Sequence, residues 1–348
     1  MNTHDDPQSS GTTLLKAPLL EVNNLRAYIG TARGTVRAVD DVSLSLNTGQ
    51  ALGIVGESGS GKSVMARAIM GLMPARSARS GEVTFQGRDL LALNKKETKD
   101  IWGKQIAMVF QDPGRSLNPV VRVERQLTEG MRKHLGVSRS EAHDRALKLL
   151  QEVGVPDPER RLKNYPHEMS GGMRQRVMIA IALACEPDLL IADEPTTALD
   201  VTIQRQILDL LRRVQVERDM GMMLISHDLA VVAGRTDRVA VMYAGRLAET
   251  GSTPEVFEAP RHRYTHALLG ATPTIDHPRH APLNVITGSL PDPTSPPQGC
   301  RFAPRCSHAE DTCVTPGPEL TSVGDDHHVA CLHPVAPESP KTLTSSGR

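Results

Sequence analysis

Residues 51–63 read Ala51-Leu52-Gly53-Ile54-Val55-Gly56-Glu57-Ser58-Gly59-Ser60-Gly61-Lys62-Ser63. The opening run is apolar without polar alternation, as in a strand buried on both faces. From Gly56 to Ser63 the chain fits the pattern G-x-x-x-x-G-K-[ST]. The glycines let the backbone curl so that successive N–H groups, those of Glu57, Ser58 and Ser60 among them, converge on an anion. A helix expected from Ser63 to Gly71 adds its positive N-terminal end to the same cradle. Lys62 brings a point charge for phosphate oxygens, and Ser63 a hydroxyl suited to Mg²⁺. Strand, glycine turn and helix in that order predict an α/β fold with a phosphate site at the strand's carboxyl end.

Working outward, Leu189-Leu190-Ile191-Ala192 has the same texture and ends in Asp193-Glu194. A neighbouring strand of this kind supplies the carboxylates that the cradle lacks: Asp193 to organise Mg²⁺ and its water, Glu194 as general base. Met222 to Ile225 and Val239 to Met242 read as further buried strands. Between about 112 and 165 the pattern turns helical and more polar, which predicts a helical insertion into the sheet domain. After Gly270 proline becomes frequent, and four of the five cysteines lie between 300 and 331. The expected organisation is a loose tail over 1–18, a sheet domain over 19–270, a small cysteine-bearing extension over 271–334 and a disordered tail over 335–348.

Composition excludes several classes. Lys+Arg and Asp+Glu balance at 40 each in 348 residues, so no basic surface for nucleic acid is expected. The best apolar run, Val177 to Ile191, is broken by Glu186, Pro187 and Asp188. No stretch approaches the roughly 20 apolar residues of a membrane helix. Few cysteines and no leader-like start point to a cytosolic chain, and Cys185, inside an apolar helix, reads as a buried structural thiol.

Met169-Ser170-Gly171-Gly172-Met173-Arg174-Gln175-Arg176 narrows the choice. Ser170 caps a helix and the glycines expose N–H groups, giving a second anion-binding helix start. This stretch resembles the signature of ABC transporter ATPases, and other segments agree in order. Gln111 in Val109-Phe110-Gln111-Asp112-Pro113 resembles the family's glutamine that touches Mg²⁺ and water. Asp200 in Thr197-Ala198-Leu199-Asp200 is similar to the aspartate that crosses the dimer interface, and His227 in Ile225-Ser226-His227-Asp228 to the switch histidine at the γ-phosphate. The resemblance implies a P-loop NTPase fold of the ABC type, two such domains head to tail, and each ATP held between one cradle and the other chain's Ser170, Gly171 and Gly172. Upstream, the aromatic that stacks on adenine aligns with Ile29, with Tyr28 beside it. Strand alternation points these two oppositely, and Tyr28 is the stacking candidate.

Thr196 to Gln204, Pro260 to Leu269, and Gly288-Ser289-Leu290-Pro291 followed by Pro297 to Cys306 resemble the oligopeptide/dipeptide (peptide/nickel) importer branch, with Arg263 where proline is usual. That resemblance implies an ATPase powering peptide import, peripheral on the cytoplasmic face of the membrane. It also implies a second, distinct ATPase subunit, two permease subunits and an extracellular or periplasmic binding protein, with no nucleic acid. Nickel, glutathione and antimicrobial peptides are alternative cargoes, and a soluble non-transport ABC ATPase is the alternative class. Cys300, Cys306, Cys313 and Cys331 are spaced C-x5-C-x6-C-x17-C. Such cysteines carry a [4Fe–4S] cluster in some members of the branch, which is the expectation here; zinc and bare thiols are the alternatives.

Overall fold

The computed structural model describes residues 17–272 and 285–336, apart from Ala198 and Pro316. Most of the two terminal tails expected from the sequence lies outside the described residues. Among the described residues twelve strands, β1 (Leu20–Thr31), β2 (Gly34–Leu46), β3 (Ala51–Val55), β4 (Ser77–Phe85), β5 (Arg88–Asp89), β6 (Ile106–Val109), β7 (Leu189–Asp193), β8 (Gly221–Ser226), β9 (Arg238–Tyr243), β10 (Arg246–Ser252), β11 (Thr321–Ser322) and β12 (His328–Val329), form two sheets. One is antiparallel, in the order β2-β1-β4-β5; the other runs β11-β12-β10-β9-β3-β8-β7-β6. In the larger sheet β6, β7, β8, β3 and β9 are parallel, and β10 and β12 continue its edge antiparallel.

The apolar runs read as doubly buried strands are so because successive residues feed opposite cores. Leu189 and Ile191 of β7, with Met223 and Ile225 of β8, pack toward the antiparallel sheet and the helix α1 (Lys62–Ile69). Leu190, Ala192, Met222 and Leu224 face the other way, into a second core. That second core is closed by the helices α3 (Pro113–Ser116), α4 (Val123–His134), α5 (Arg139–Glu152) and α6 (Pro158–Lys163), which follow β6 without a strand between them, whereas α2 (Lys95–Ile101), before β6, sends Ile101 into the first core. Val123, Leu127 and Met131 of α4 fall on one helical face and are buried there, as are Ala142, Ala146 and Leu149 of α5. Helix α7 (Gly171–Leu183), between these helices and β6, is apolar around most of its circumference and buries Val177, Met178, Ile179, Ala180, Ala182 and Leu183. Helix α8 (Val201–Glu217) packs Ile207, Leu210, Leu211 and Val214 on the same core.

The cysteine-bearing extension is joined to the sheet more closely than its loop-rich sequence implies. Its β12 pairs with β10, Glu249 opposite Val329 and Thr250 opposite His328. Phe302 completes a third core with Tyr243 and Tyr264, ring centroids 5.3 and 5.4 Å away.

Candidate nucleotide site

The site lies where β3, β7 and β8 end. After Val55 the chain turns through Gly56, Gly59 and Gly61, all with positive φ. At Gly61 (φ 105°) glycine is required twice over: the conformation suits no side chain, and a Cβ would lie 2.1 Å from the carbonyl oxygen of Ala38. This loop delivers Lys62 to the first turn of α1, 4% exposed, where its Nζ donates to the carbonyls of Gly56 (2.7 Å) and Glu57 (2.9 Å). Burial lowers the lysine pKa, and the charges of Glu194, Asp193 and Glu57 oppose that shift.

The neighbouring strand supplies Asp193, fully buried, whose Oδ1 accepts from the Ser63 hydroxyl at 2.6 Å. Its pKa is raised by burial, with Ser63 and Arg67 working against the rise. Its other oxygen, Oδ2, is buried without a hydrogen-bond partner, and Arg67 comes no closer than 3.9 Å. An orphaned carboxylate oxygen beside a hydroxyl is a hard-oxygen donor pair. It fits Mg²⁺, which takes one or two protein oxygens and keeps waters and phosphate oxygens for the rest.

Glu194 follows immediately and sits at φ 45°, in the left-handed region that non-glycine residues rarely occupy. Its N–H donates to Ile225 O of β8 (3.0 Å). The turn brings the carboxylate to three side chains from three different segments. Oε2 accepts from Gln111 Nε2 (2.7 Å) and from Thr197 Oγ1 (3.0 Å), and Oε1 lies 3.2 Å from His227 Nδ1. Gln111, Glu194, Thr197 and His227 line one cavity of about 750 Å³ together with Ser58, Gly59, Gly61, Lys62 and Ser63.

Other expected residues lie elsewhere. Ser170 caps α7, accepting from Met173 N at 3.3 Å, and is exposed outside the lining of this cavity. Gly171, next to it, borders a second depression shared with Gln111 and Thr197. Asp200 caps α8 through Ile203 N (3.0 Å) and is exposed. Ile29 lines the cavity, whereas the Tyr28 hydroxyl is turned to Asp40 Oδ1 at 2.5 Å. Tyr28 spends its polar end on a buried carboxylate that also pairs with Arg301.

The expected cluster ligands are Cys300, Cys306, Cys313 and Cys331. Among the described residues no three histidine, cysteine, aspartate or glutamate side chains form a metal-binding group. The four extension cysteines are free thiols, with Cys300 and Cys306 packed against the Tyr243–Phe302 core. Burial raises the Cys300 and Cys331 pKa values, and the neighbouring thiols, Cys331 and Cys313 at Cys300 and Cys306 at Cys331, add to the rise.

Sequence reasoning missed three residues that shape the site. Tyr264 Oη accepts from Glu57 N at 2.9 Å, and Arg305 holds the Glu57 carboxylate at 2.9 and 3.1 Å. Thr197, the third, carries no signal of its own beyond the loop it belongs to. Nothing in periodicity marks Tyr264 or Arg305, because their partners lie more than two hundred residues away in sequence.

Known proteins agree with this geometry. Residues 39–197 match the family "ABC transporter", and residues 248–313 match "Oligopeptide/dipeptide transporter, C-terminal region". The oligopeptide transport ATP-binding protein OppD of Bacillus subtilis (strain 168) is 49% identical over 336 residues, covering 95% of this chain and 94% of that protein. The chain belongs to the ABC transporter family, in its oligopeptide/dipeptide branch. The dipeptide transport ATP-binding protein DppD of Escherichia coli (strain K12) is 46% identical over 93% of this chain and 99% of its own length. The ABC fold also appears in the solved dimer of the ATP-binding cassette MJ0796, in a post-hydrolysis state bound to ADP and Pi. It superimposes with TM-score 0.61 and 28% identity over 67% of this chain and 98% of that one. Family membership accounts for the P-loop, the helical segment after β6 and the extension together.

Proposed function

We propose that this chain binds and hydrolyses ATP to power import of oligopeptides or dipeptides through a membrane permease. The observation that carries the ATPase part is Glu194. It stands at the rim of the cradle, held by Gln111, Thr197 and His227 in the cavity that Lys62 and Ser63 line. The peptide part rests on the relatives and on the matched C-terminal region.

In this reading Lys62 and the loop N–H groups hold the β- and γ-phosphates. Ser63, Asp193 and Gln111 hold Mg²⁺, which neutralises phosphate charge. Glu194 orients and deprotonates the attacking water, with His227 and Gln111 fixing its two oxygens so that it needs no reorganisation during the step. No helix among the described residues is long and apolar enough to cross a membrane. From the resemblance to peptide importers, the chain works as a peripheral subunit on two permease subunits at the cytoplasmic face, supplied by an external binding protein. Ser170, Gly171, Gly172 and Asp200, exposed or half-buried and away from their own cavity, serve the ATP of a facing ATPase. From the resemblance, that facing chain is a related but distinct paralogue. A [4Fe–4S] cluster on the extension has the support of the resemblance alone.

Glu194→Gln keeps both Gln111 and Thr197 within reach of an oxygen but removes the base. ATP affinity by calorimetry stays near wild type, and turnover falls at least about 100-fold, the usual worth of a positioned base. Wild-type turnover in this variant would take the role away from Glu194.

A further inference from the structure

The polar part of the nucleotide cavity accounts for a triphosphate, but a nucleoside also needs a wall for its base. No phenylalanine, tyrosine or tryptophan lines the cavity among the described residues. Apart from Ala38, Val64 and Ala244, the apolar lining comes from Ile29 and Val36 of the β1–β2 hairpin and from Leu290, Pro291, Pro293 and Pro296 of the C-terminal extension. We propose that the extension segment 290–296 is the second half of the base-binding subsite, supplied in cis and facing Ile29 and Val36. The proposal rests on the nucleotide reading above and adds where the base is held.

The segment is tied down at both ends of the cavity. Pro293 O accepts from Arg37 N at 2.9 Å, which joins it to β2 next to Val36. Leu290 lies against the cradle itself, its Cδ1 3.5 Å from where a Cβ on Gly59 would stand. Arg305 then locks the strap to the phosphate loop. Its Nη1 holds the Glu57 carboxylate, and its Nε and Nη2 donate to the carbonyls of Thr287 (2.8 Å) and Ile286 (3.2 Å), just upstream of Leu290. The Arg305 side chain is 6% exposed, so this pair is not a loose surface contact. Pro291, Pro293 and Pro296 leave the strap little freedom to lose when a ligand arrives. Aliphatic and proline surface buries a flat base by apolar area alone. That explains how the site works with Ile29 where an aromatic is expected and with the Tyr28 hydroxyl engaged by Asp40.

The test compares ATP with inorganic tripolyphosphate, which has the phosphates and no base, by calorimetry on the full chain with Mg²⁺. In Leu290→Ala, ATP affinity falls about five- to tenfold, the worth of one partly lost aliphatic contact, while tripolyphosphate affinity is unchanged. As a second variant, Leu290→Trp places a fluorophore on the wall. Its emission changes on adding ATP and not on adding tripolyphosphate. Unchanged ATP affinity in Leu290→Ala, an equal loss for both ligands, or a signal from the introduced tryptophan that answers tripolyphosphate as well, would each overturn the proposal. Failure of the underlying reading looks different: Lys62→Met would then retain wild-type affinity for both ligands.

Discussion

At the scale of single residues, the site is made of groups held at some cost to the fold. Lys62 is a buried cation whose ordinary pKa is lowered by burial, Asp193 is a buried carboxyl with one oxygen unpartnered, and Glu194 occupies a left-handed backbone conformation. Each is unfavourable for the folded chain alone and useful once phosphates and Mg²⁺ arrive. Lys62→Met tests this directly. Methionine keeps the unbranched stem and removes the desolvated charge, so folding stability stays within about 1 kcal/mol of wild type or rises. ATP affinity falls tenfold or more, the loss of a charge-assisted contact. Parallel urea denaturation and calorimetry decide it; a variant that is much less stable, or that binds ATP as well as wild type, contradicts the assignment.

At the scale of elements, the extension is held to the sheet by a buried polar cluster. The Glu249 carboxylate, fully buried on β10, accepts from the N–H groups of Arg261 (2.6 Å) and His262 (2.9 Å) and lies 2.6 Å from His327 Nε2. His262 is itself buried, and its Nδ1 accepts from Tyr264 N at 2.9 Å, capping the helix Arg263–Gly270 that carries Tyr264 to the phosphate loop. Burial pushes the His262 pKa down to about 4, against the opposing pull of Glu249. The unfolded chain, at an ordinary value near 6.5, takes up this proton first. The contribution is therefore intact above about pH 6.5 and is lost as pH falls toward 4, about 2 kcal/mol of it between pH 7 and pH 5. In His262→Asn, where the amide oxygen replaces Nδ1 as acceptor, the difference in urea-derived stability between pH 7 and pH 5 shrinks by that amount. An unchanged difference would mean that His262 does not titrate as its burial implies.

The same scale explains what could be read from sequence. The cradle, the acidic strand end and the apolar texture of β3, β7, β8 and β9 were legible because each depends on neighbours in the chain. The position of Ile29 rather than Tyr28 on the cavity wall was half legible, since alternation said only that the two differ. The pairing of β12 with β10 and the grip of Arg305 on Glu57 were not legible. Both join segments far apart in sequence, and a two-residue strand or a single arginine carries no periodicity to announce them.

At the scale of the molecule, the nucleotide cavity is lined without the chain's own Ser170. The capped start of α7 borders instead a depression that shares Gln111 and Thr197 with that cavity. Those two residues also hold Glu194, through one hydrogen bond each. On the function proposed above, a facing chain that closes on ATP brings its own helix start to the phosphates, and this chain offers Ser170 in return. Closure is then favoured because only the closed pair satisfies both sides of the triphosphate. Ser170→Arg separates binding from hydrolysis. The isolated chain binds ATP within about twofold of wild type, apart from about 1 kcal/mol of stability lost with the cap. In the assembled complex, ATP turnover at the one site that receives this helix start falls about 100-fold or more, because the donors that should meet the partner's phosphates are blocked. Glu194→Gln leaves affinity intact as well, but its defect lies in its own cavity. Co-assembling Ser170→Arg with a wild-type paralogue therefore silences the site whose cradle belongs to the paralogue and spares the one built on Lys62. Equal loss at both sites, read by single-turnover hydrolysis at each, would show that the two halves do not exchange helix starts.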